Sequence, residues 1–349
     1  MQVDLVVVGG GPIGLGTAIE ARLAGLSVAL VEPRGVPVDK ACGEGLMPAA
    51  RAALDRLGVH PHGVPFRGIH YLTPTASAVA LFGRGDGLGV RRTELSAALS
   101  QRATELGVRH VAARASTPRA VPDGVRVDVG SGADGVSARW AVAADGLHSP
   151  VRRALGLDVP VDRHRVPARY GLRRHFRLPP WTDLVEVHWA ADAEAYVTPV
   201  AADVVGVAVL GPGGAPFDAW LDRFPAVADR LAGAPPIGEV RGAGPLRQRA
   251  RSRVAGPVLL VGDAAGYVDA LTGEGVSVGL ACARELVACL VAGRPQDYDR
   301  AWRRATLRYR AMTGGLLAAT RRPVLRRALV PAAQRAPWLF ARIVDQLGR

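Results

Sequence analysis

The first thirty-two residues leave this chain little choice of fold. Residues 3–8, VDLVVV, form the mostly apolar run expected of a buried parallel strand. The turn Gly9-Gly10-Gly11-Pro12-Ile13-Gly14 follows at once. Good helix formers then run to about Ala24, with Gly25 placed to close the helix. A second apolar strand, residues 27–31, ends at Glu32. Strand, glycine turn, helix and strand within about thirty residues make a βαβ unit, and an α/β fold is the expectation. At 349 residues and 49% hydrophobic content, the chain can bury one large domain or two interleaved ones.

Each glycine of the turn has a separate physical task. Gly9 permits the tight turn, Gly11 has no Cβ to keep a pyrophosphate from the backbone, and Gly14 lets helix and strand pack closely. Pro12 and Ile13 open a helix whose free N–H groups and dipole favour an anion. Glu32 can accept hydrogen bonds from ribose hydroxyls, and Arg34 beside it joins the expected cofactor contacts. This motif suits FAD and NAD equally.

Further along, residues 47–58 and 92–106 read as helices closed by Gly58 and Gly107. Residues 66–83 read as a hairpin, and residues 108–113 as a strand. Residues 124–143 read as a meander with Gly130, Gly132 and Gly135 in its turns. From 166 to 210 the pattern becomes that of an antiparallel sheet, with strands near 184–189, 195–200 and 204–210. A short helix is expected near 216–232, a buried strand at 258–261 and a long helix over about 275–292. The tail from 296 is helical and basic.

Two later motifs choose between the dinucleotides. Residues 145–152, DGLHSPVR, read DGxxSxVR, and Gly262-Asp263-Ala264-Ala265 follows a buried strand. With the opening turn, this trio resembles the FAD-dependent hydroxylases of the p-hydroxybenzoate hydroxylase type and the related geranylgeranyl reductases, over residues 1–295. The resemblance implies that Asp263 holds the ribityl chain of FAD. It implies that Asp145, Gly146 and Arg152 belong to a motif touching FAD and linked to nicotinamide-cofactor use. Arg92 of R-x-x-L would contact FAD. It further implies a Rossmann-type FAD-binding domain from residues 1–65, 91–158 and 246–295. An inserted antiparallel β-sheet substrate domain would comprise 66–90 and 159–245, and a C-terminal helical segment 296–349.

Two loops should face the flavin. Leu271-Thr272-Gly273-Glu274-Gly275-Val276 opens the long helix. Gly273 and Gly275 would let backbone N–H groups approach the ring, with the helix dipole favouring its anionic reduced form. Glu274 reads equally as a carboxylate favoured by that dipole. Lys40-Ala41-Cys42-Gly43-Glu44 resembles the K-x-C-G loop of geranylgeranyl reductases. Lys40 is the single lysine among 44 basic residues, and the two cation types are not interchangeable. Cys42 and Gly43 are expected near the flavin. Lys40, Glu44 and Tyr196 are the candidate catalytic groups, with a helix-start role preferred for Glu44. His188 and Trp189 could line a substrate pocket, although neighbours in a strand point to opposite faces.

Composition limits the remaining classes. The net charge of +13 would suit nucleic acid, but no zinc-finger spacing, RNP pattern or basic zipper is present, so none is expected. Cys42, Cys282 and Cys289 form no disulfide framework, and no metal site is expected. A first strand at residue 3 and no apolar run of about 18 residues suggest a cytoplasmic protein. The expected enzyme takes electrons from NADH or NADPH through FAD. The preferred reading is a monooxygenase hydroxylating an aromatic or polyketide-like small molecule. Reduction of a C=C bond in an isoprenoid or other hydrophobic substrate is the alternative, and a non-catalytic FAD-binding protein the third. The W-x-W-x-I-P signature of flavin halogenases is absent. The arginine-rich tail reads as a solvated cover ahead of a membrane or carrier-protein surface.

Overall fold

Apolar strands buried on both faces assemble here into a parallel sheet, as their composition requires. In the computed structural model, which describes residues 1–130, 134–162, 164 and 166–347 (Leu347 by its backbone only), strand Gln2–Val8 lies at the centre. It pairs in parallel with Val28–Val31 on one side and Gly135–Ala143 on the other. Arg109–Val111 and Val258–Leu260 extend the parallel array at either end. Helix Pro12–Leu23 and helix Gly275–Val291 pack together against this sheet, contributing Leu15, Ile19, Leu280 and Leu286 to its core. Gly124–Asp128 and Gly135–Ala143 pair antiparallel as the meander reading expects. Gly130 sits in the connection at φ 67°, while Gly132 lies outside the described residues.

The second sheet has seven strands in the order Pro236–Ala243, Tyr170–Arg177, Val204–Gly211, Glu194–Ala201, Val185–Trp189, Gly68–Leu72, Ser77–Leu81. The expectation of an antiparallel sheet needs one correction: Val185–Trp189 and Gly68–Leu72 run parallel. These two strands are separated in sequence by much of the first sheet, so no hairpin dictates their relative direction. A three-stranded bridge of Gly45–Leu46, Gly87–Gly89 and Val64–Phe66 lies near the second sheet. The single helix expected near 216–232 is two, Phe217–Leu221 and Pro225–Leu231, because Pro225 starts a new helix and cannot continue an old one.

The tail forms helices Tyr298–Thr320, Pro323–Arg335 and Pro337–Leu347, each of the last two opened by a proline. The last two cover the edge of the second sheet, where Val330, Phe340 and Val344 pack with Ala78, Ala80 and Tyr71. No helix among the described residues is long and apolar enough to cross a membrane.

Candidate functional site

The opening turn is built where side chains cannot go. A Cβ on Gly14 would stand 1.9 Å from the Gly9 carbonyl oxygen, and one on Gly9, at φ 109°, 2.5 Å from that of Ala144. Gly11 differs: the space its Cβ would fill is open, bounded by Arg92 Nη2 at 3.8 Å. Gly11 is also the N-cap of helix Pro12–Leu23 and supplies no side-chain cap. The first amides of that helix are thus left for an external acceptor. Arg92, at the start of helix Arg92–Glu105, leaves its buried Nε without a partner. An uncapped helix end, an empty cradle and an underused guanidinium together fit a pyrophosphate.

Glu32 ends its strand beside this turn. Gly10 N donates to its Oε2 at 2.8 Å, and Arg34 donates through Nε to Oε1 at 2.7 Å and through Nη2 to Oε2 at 2.8 Å. Burial works to raise the Glu32 pKa, but the bonds from Arg34 and Gly10 outweigh it and hold the carboxyl below its usual range. Arg34 N donates a fourth bond, to Oε1 at 3.0 Å, which fills the roughly four acceptor positions of a carboxylate, so ribose hydroxyls would bind Glu32 in place of the half-exposed Arg34 guanidinium.

Asp145 and Asp263 follow adjacent parallel strands. Asp145 Oδ2 accepts from Val151 N at 3.1 Å, while its buried Oδ1 has no partner. Burial raises the Asp145 pKa and likewise that of Asp263, whose carboxylate accepts no hydrogen bond among the described residues. The charges of Lys40, Arg92 and Arg152 offset only part of the Asp263 shift. An unused acceptor in a half-buried position lining the cavity fits the hydroxyls of a ribityl chain. Gly146, at φ 86°, brings the intervening loop close to Lys40, whose Nζ would be 3.3 Å from a Cβ there.

Arg152 lies elsewhere than its motif suggests. Only 1% exposed, it donates through Nε to Asp158 at 2.7 Å, through Nη1 to the Ala264 carbonyl at 3.1 Å, and through Nη2 to Leu147 and Gln248 at 2.9 and 3.0 Å. It therefore laces the DG loop to the GD turn from behind instead of reaching into the cleft.

The Lys40–Glu44 loop is pinned to the second sheet. Glu44, buried and at φ 60°, accepts from Arg92 N through Oε1 at 2.8 Å, and its Oε2 lies 2.6 Å from His175 Nε2. Arg173 Nη1 lies 3.2 Å from His175 Nδ1. Arginine can only donate, so Nδ1 is the acceptor and Nε2 carries the proton given to Glu44. Arg173 also pairs with Asp39 and reaches the Lys40 carbonyl, and Thr198 Oγ1 donates to the Gly43 carbonyl at 2.9 Å. Both Glu44 oxygens are engaged by protein donors, so the expected acid–base role gives way to a positioning one. Cys42 stays partly exposed, its Sγ 3.4 Å from Glu44 N. Lys40 is solvent-accessible at the lip of the cleft. Burial of its surroundings first, and then the charges of Arg34 and Arg92, hold its pKa below the usual lysine value. That position is beside the expected phosphate and ribityl contacts, not beside Tyr196.

Tyr196 is corrected in the same sense. Its hydroxyl donates to the Leu271 carbonyl at 3.0 Å, and burial pushes its pKa well above the usual value, so it braces the 271–275 loop. The same loop is held by a buried chain in which Arg169 bridges Glu194 at 2.6 Å and Asp269 at 3.1 Å, and Arg326 adds a second contact to Glu194 at 2.7 Å. Gly273 takes φ 69°, and Gly275 is the first residue of its helix. Glu274 is buried with Oε2 unpartnered, and burial raises its pKa to about 7. Trp189 packs edge-on to Tyr71 beneath Arg326, and His188, on the other face, pairs with Glu186 at 2.9 Å. Neither is arranged as an open pocket wall.

Asp39, Arg169, Arg173, His175, Glu194 and Asp269 escape sequence reasoning. Arg173 and His175 do carry a signal, as polar groups two apart on one face of a strand. Beside the flavin-facing loop, a cavity of about 340 Å³ opens between helices Gly275–Val291 and Tyr298–Thr320, touching Asp263, Tyr267 and Gly275 and rimmed by arginines. No group of three potential metal ligands exists among the described residues.

Residues 2–195 match the FAD binding domain family. A menaquinone reductase of Mycolicibacterium smegmatis is 30% identical over 343 residues, spanning 86% of this chain and 79% of that protein. A digeranylgeranylglycerophospholipid reductase of Methanopyrus kandleri is 31% identical over 308 residues, spanning 81% of this chain and 79% of that protein. The flavin-dependent brominase Bmp2 superposes with a TM-score of 0.82 over 100% of this chain and 94% of its own, at 19% identity, a likeness of fold.

Proposed function

The chain belongs to the FAD binding domain family of flavin-dependent oxidoreductases, and from that premise we propose that it reduces a carbon–carbon double bond in a hydrophobic, isoprenoid-like substrate, using NADH or NADPH as electron donor. The observation that carries this reading is the Lys40–Glu44 loop, fixed to the second sheet through Glu44, His175, Arg173 and Asp39. The DG motif suits oxygen insertion, whereas the Lys40–Glu44 loop, which resembles that of geranylgeranyl reductases, supports the reductase reading.

When bound, FAD supplies the hydride chemistry. The residues of the chain supply binding, orientation and proton control. Gly11, Arg92 and the first amides of helix Pro12–Leu23 would hold the pyrophosphate, Glu32 the ribose and Asp263 the ribityl chain. Saturating a C=C bond adds one hydride and one proton, and in a site closed to bulk water that proton has to pass through groups of the protein. The cleft offers held proton carriers. Tyr267 Oη stays protonated at neutral pH because burial raises its pKa well above the usual phenol value. Cys42 Sγ is kept at the cleft by the pinned loop. Similarity across four-fifths or more of the chain to proteins named as menaquinone and digeranylgeranylglycerophospholipid reductases supports the reductase reading.

The test is an oxygen-free assay of purified holoenzyme with reduced nicotinamide nucleotide and polyprenyl quinones or geranylgeranyl lipids. Products heavier by two hydrogens per turnover are expected. No anaerobic turnover, together with a product carrying one atom from labelled oxygen gas, would establish the monooxygenase reading instead.

A further inference from the structure

The C-terminal helices present a surface that the cofactor site does not use. Residues 301–347 contain ten arginines and a single acid, Asp345. Helices Pro323–Arg335 and Pro337–Leu347 both lie against strand Ser77–Leu81, with Val330, Phe340 and Val344 turned inward. Arg326 fixes the first of them by donating to the Ala190 and Ala193 carbonyls at 2.7 Å each. Because both helices rest on the same strand, their outward sides face away from the sheet in one direction. Those sides expose Val324 (76%), Leu325, Trp338 (68%), Leu339 and Ile343. Arg321, Arg322, Arg327, Arg335 and Arg342 stand exposed among them, and none makes an ion pair with a described residue.

Apolar anchors on such a face are costly in water unless something covers them. The charge decides what can do so. A second copy of the chain, docked face to face, would set arginine against arginine, since the one acid of these two helices, Asp345, stands at Gly83. An anionic lipid surface satisfies both halves of the pattern. Trp338, Leu339 and Ile343 enter the boundary between headgroups and acyl chains, and the arginines reach outward to the phosphates. No helix among the described residues is long and apolar enough to cross a membrane, and the attachment proposed is peripheral.

We propose that the outward face of helices Pro323–Arg335 and Pro337–Leu347 docks this protein onto anionic membranes. The juxtaposition of Trp338, Ile343 and Val324 with unpaired arginines is what the bilayer recognises. This face is separate from the cleft, and the proposal stands whichever redox reaction the cleft performs.

The test uses full-length holoenzyme and vesicles free of quinone and isoprenoid, so the outcome is independent of the catalytic reading. Sedimentation is compared on phosphatidylcholine vesicles and on vesicles enriched in phosphatidylglycerol. Binding to the anionic vesicles, released by added salt, is expected. The Trp338→Ser/Ile343→Ser variant should bind at least about tenfold more weakly. The Arg322→Gln/Arg327→Gln/Arg335→Gln/Arg342→Gln variant should lose the preference for anionic lipid. Both alter exposed side chains, and retained bound flavin and unchanged thermal unfolding verify the fold. Absence of wild-type binding overturns the proposal, as does binding that both variants leave unchanged. If light scattering shows a dimer that Trp338→Ser/Ile343→Ser converts to monomer while vesicles are ignored, the face is a subunit interface and the proposal fails.

Discussion

His175 Nε2 meets Glu44 Oε2 at 2.6 Å in a buried contact joining residues 131 positions apart. This bond ties the loop carrying Lys40 and Cys42 to the sheet that would cover a substrate. Removing the imidazole leaves a buried carboxylate one donor short. His175→Ala should therefore cost about 3 kcal/mol of folding stability, read from denaturant unfolding. It should also lower turnover more than flavin content. A variant as stable as the parent would show that the loop is anchored by its other contacts alone.

Asp263 makes the opposite prediction. Its carboxylate is half-buried at the cavity, accepts no hydrogen bond from a described residue, and has a raised pKa. Asp263→Asn should leave the flavin-free protein at least as stable at neutral pH, because a penalised charge disappears. FAD affinity should fall about 10- to 100-fold with loss of a charge-assisted acceptor. Titration of apoprotein with FAD measures one effect and thermal unfolding the other. Undiminished affinity would remove Asp263 from the cofactor site.

Gly11 and Gly14 separate fold from binding within a single turn. Gly14→Ala places a Cβ 1.9 Å from a backbone carbonyl and should yield no soluble protein. Gly11→Ala meets only Arg92 Nη2 at 3.8 Å, so it should fold normally. It should nevertheless bind FAD at least about tenfold more weakly, since its methyl group occupies the approach of the pyrophosphate. Circular dichroism and flavin retention on purification distinguish the two.

Glu274 should make stability depend on pH. Its folded pKa is raised from 4.5 to about 7 by burial. The folded state then holds a proton that the unfolded chain releases. The stabilisation is full below about 4.5 and is lost as pH rises through about 7. The fall across that window should approach about 3 kcal/mol. Glu274→Gln should flatten the profile and gain most over the parent near pH 8, as measured by unfolding at several pH values. Parallel profiles for parent and variant would place the titration elsewhere.

The cofactor half of the molecule is legible because its constraints are local. Gly9, Gly11, Gly14 and Glu32 lie within one short βαβ unit, and backbone geometry there permits few substitutes. Asp145 and Asp263 can be read because each directly follows a buried strand. The positioning networks are not legible in the same way. Arg173 and His175 meet Asp39 and Glu44 across more than a hundred residues, and Arg169 joins Glu194 and Asp269 from 25 and 100 residues away. An isolated arginine in a strand looks the same whether it faces solvent or a buried acid. Arg152 shows the same limit inside a recognised motif, since its sequence neighbours do not reveal that it points inward.

The amino-acid order by itself determined the βαβ turn, the demand for an anionic dinucleotide and the arginine-dominated charge of the tail. These follow from steric allowance, strand and helix periodicity and composition, all of which act between near neighbours. Tertiary structure alone decided that Glu44 and Tyr196 spend their polar atoms on bracing loops, and that the tail's apolar residues share one outward face. Those outcomes depend on which distant surfaces meet, and burial converts such meetings into fixed hydrogen bonds and ion pairs.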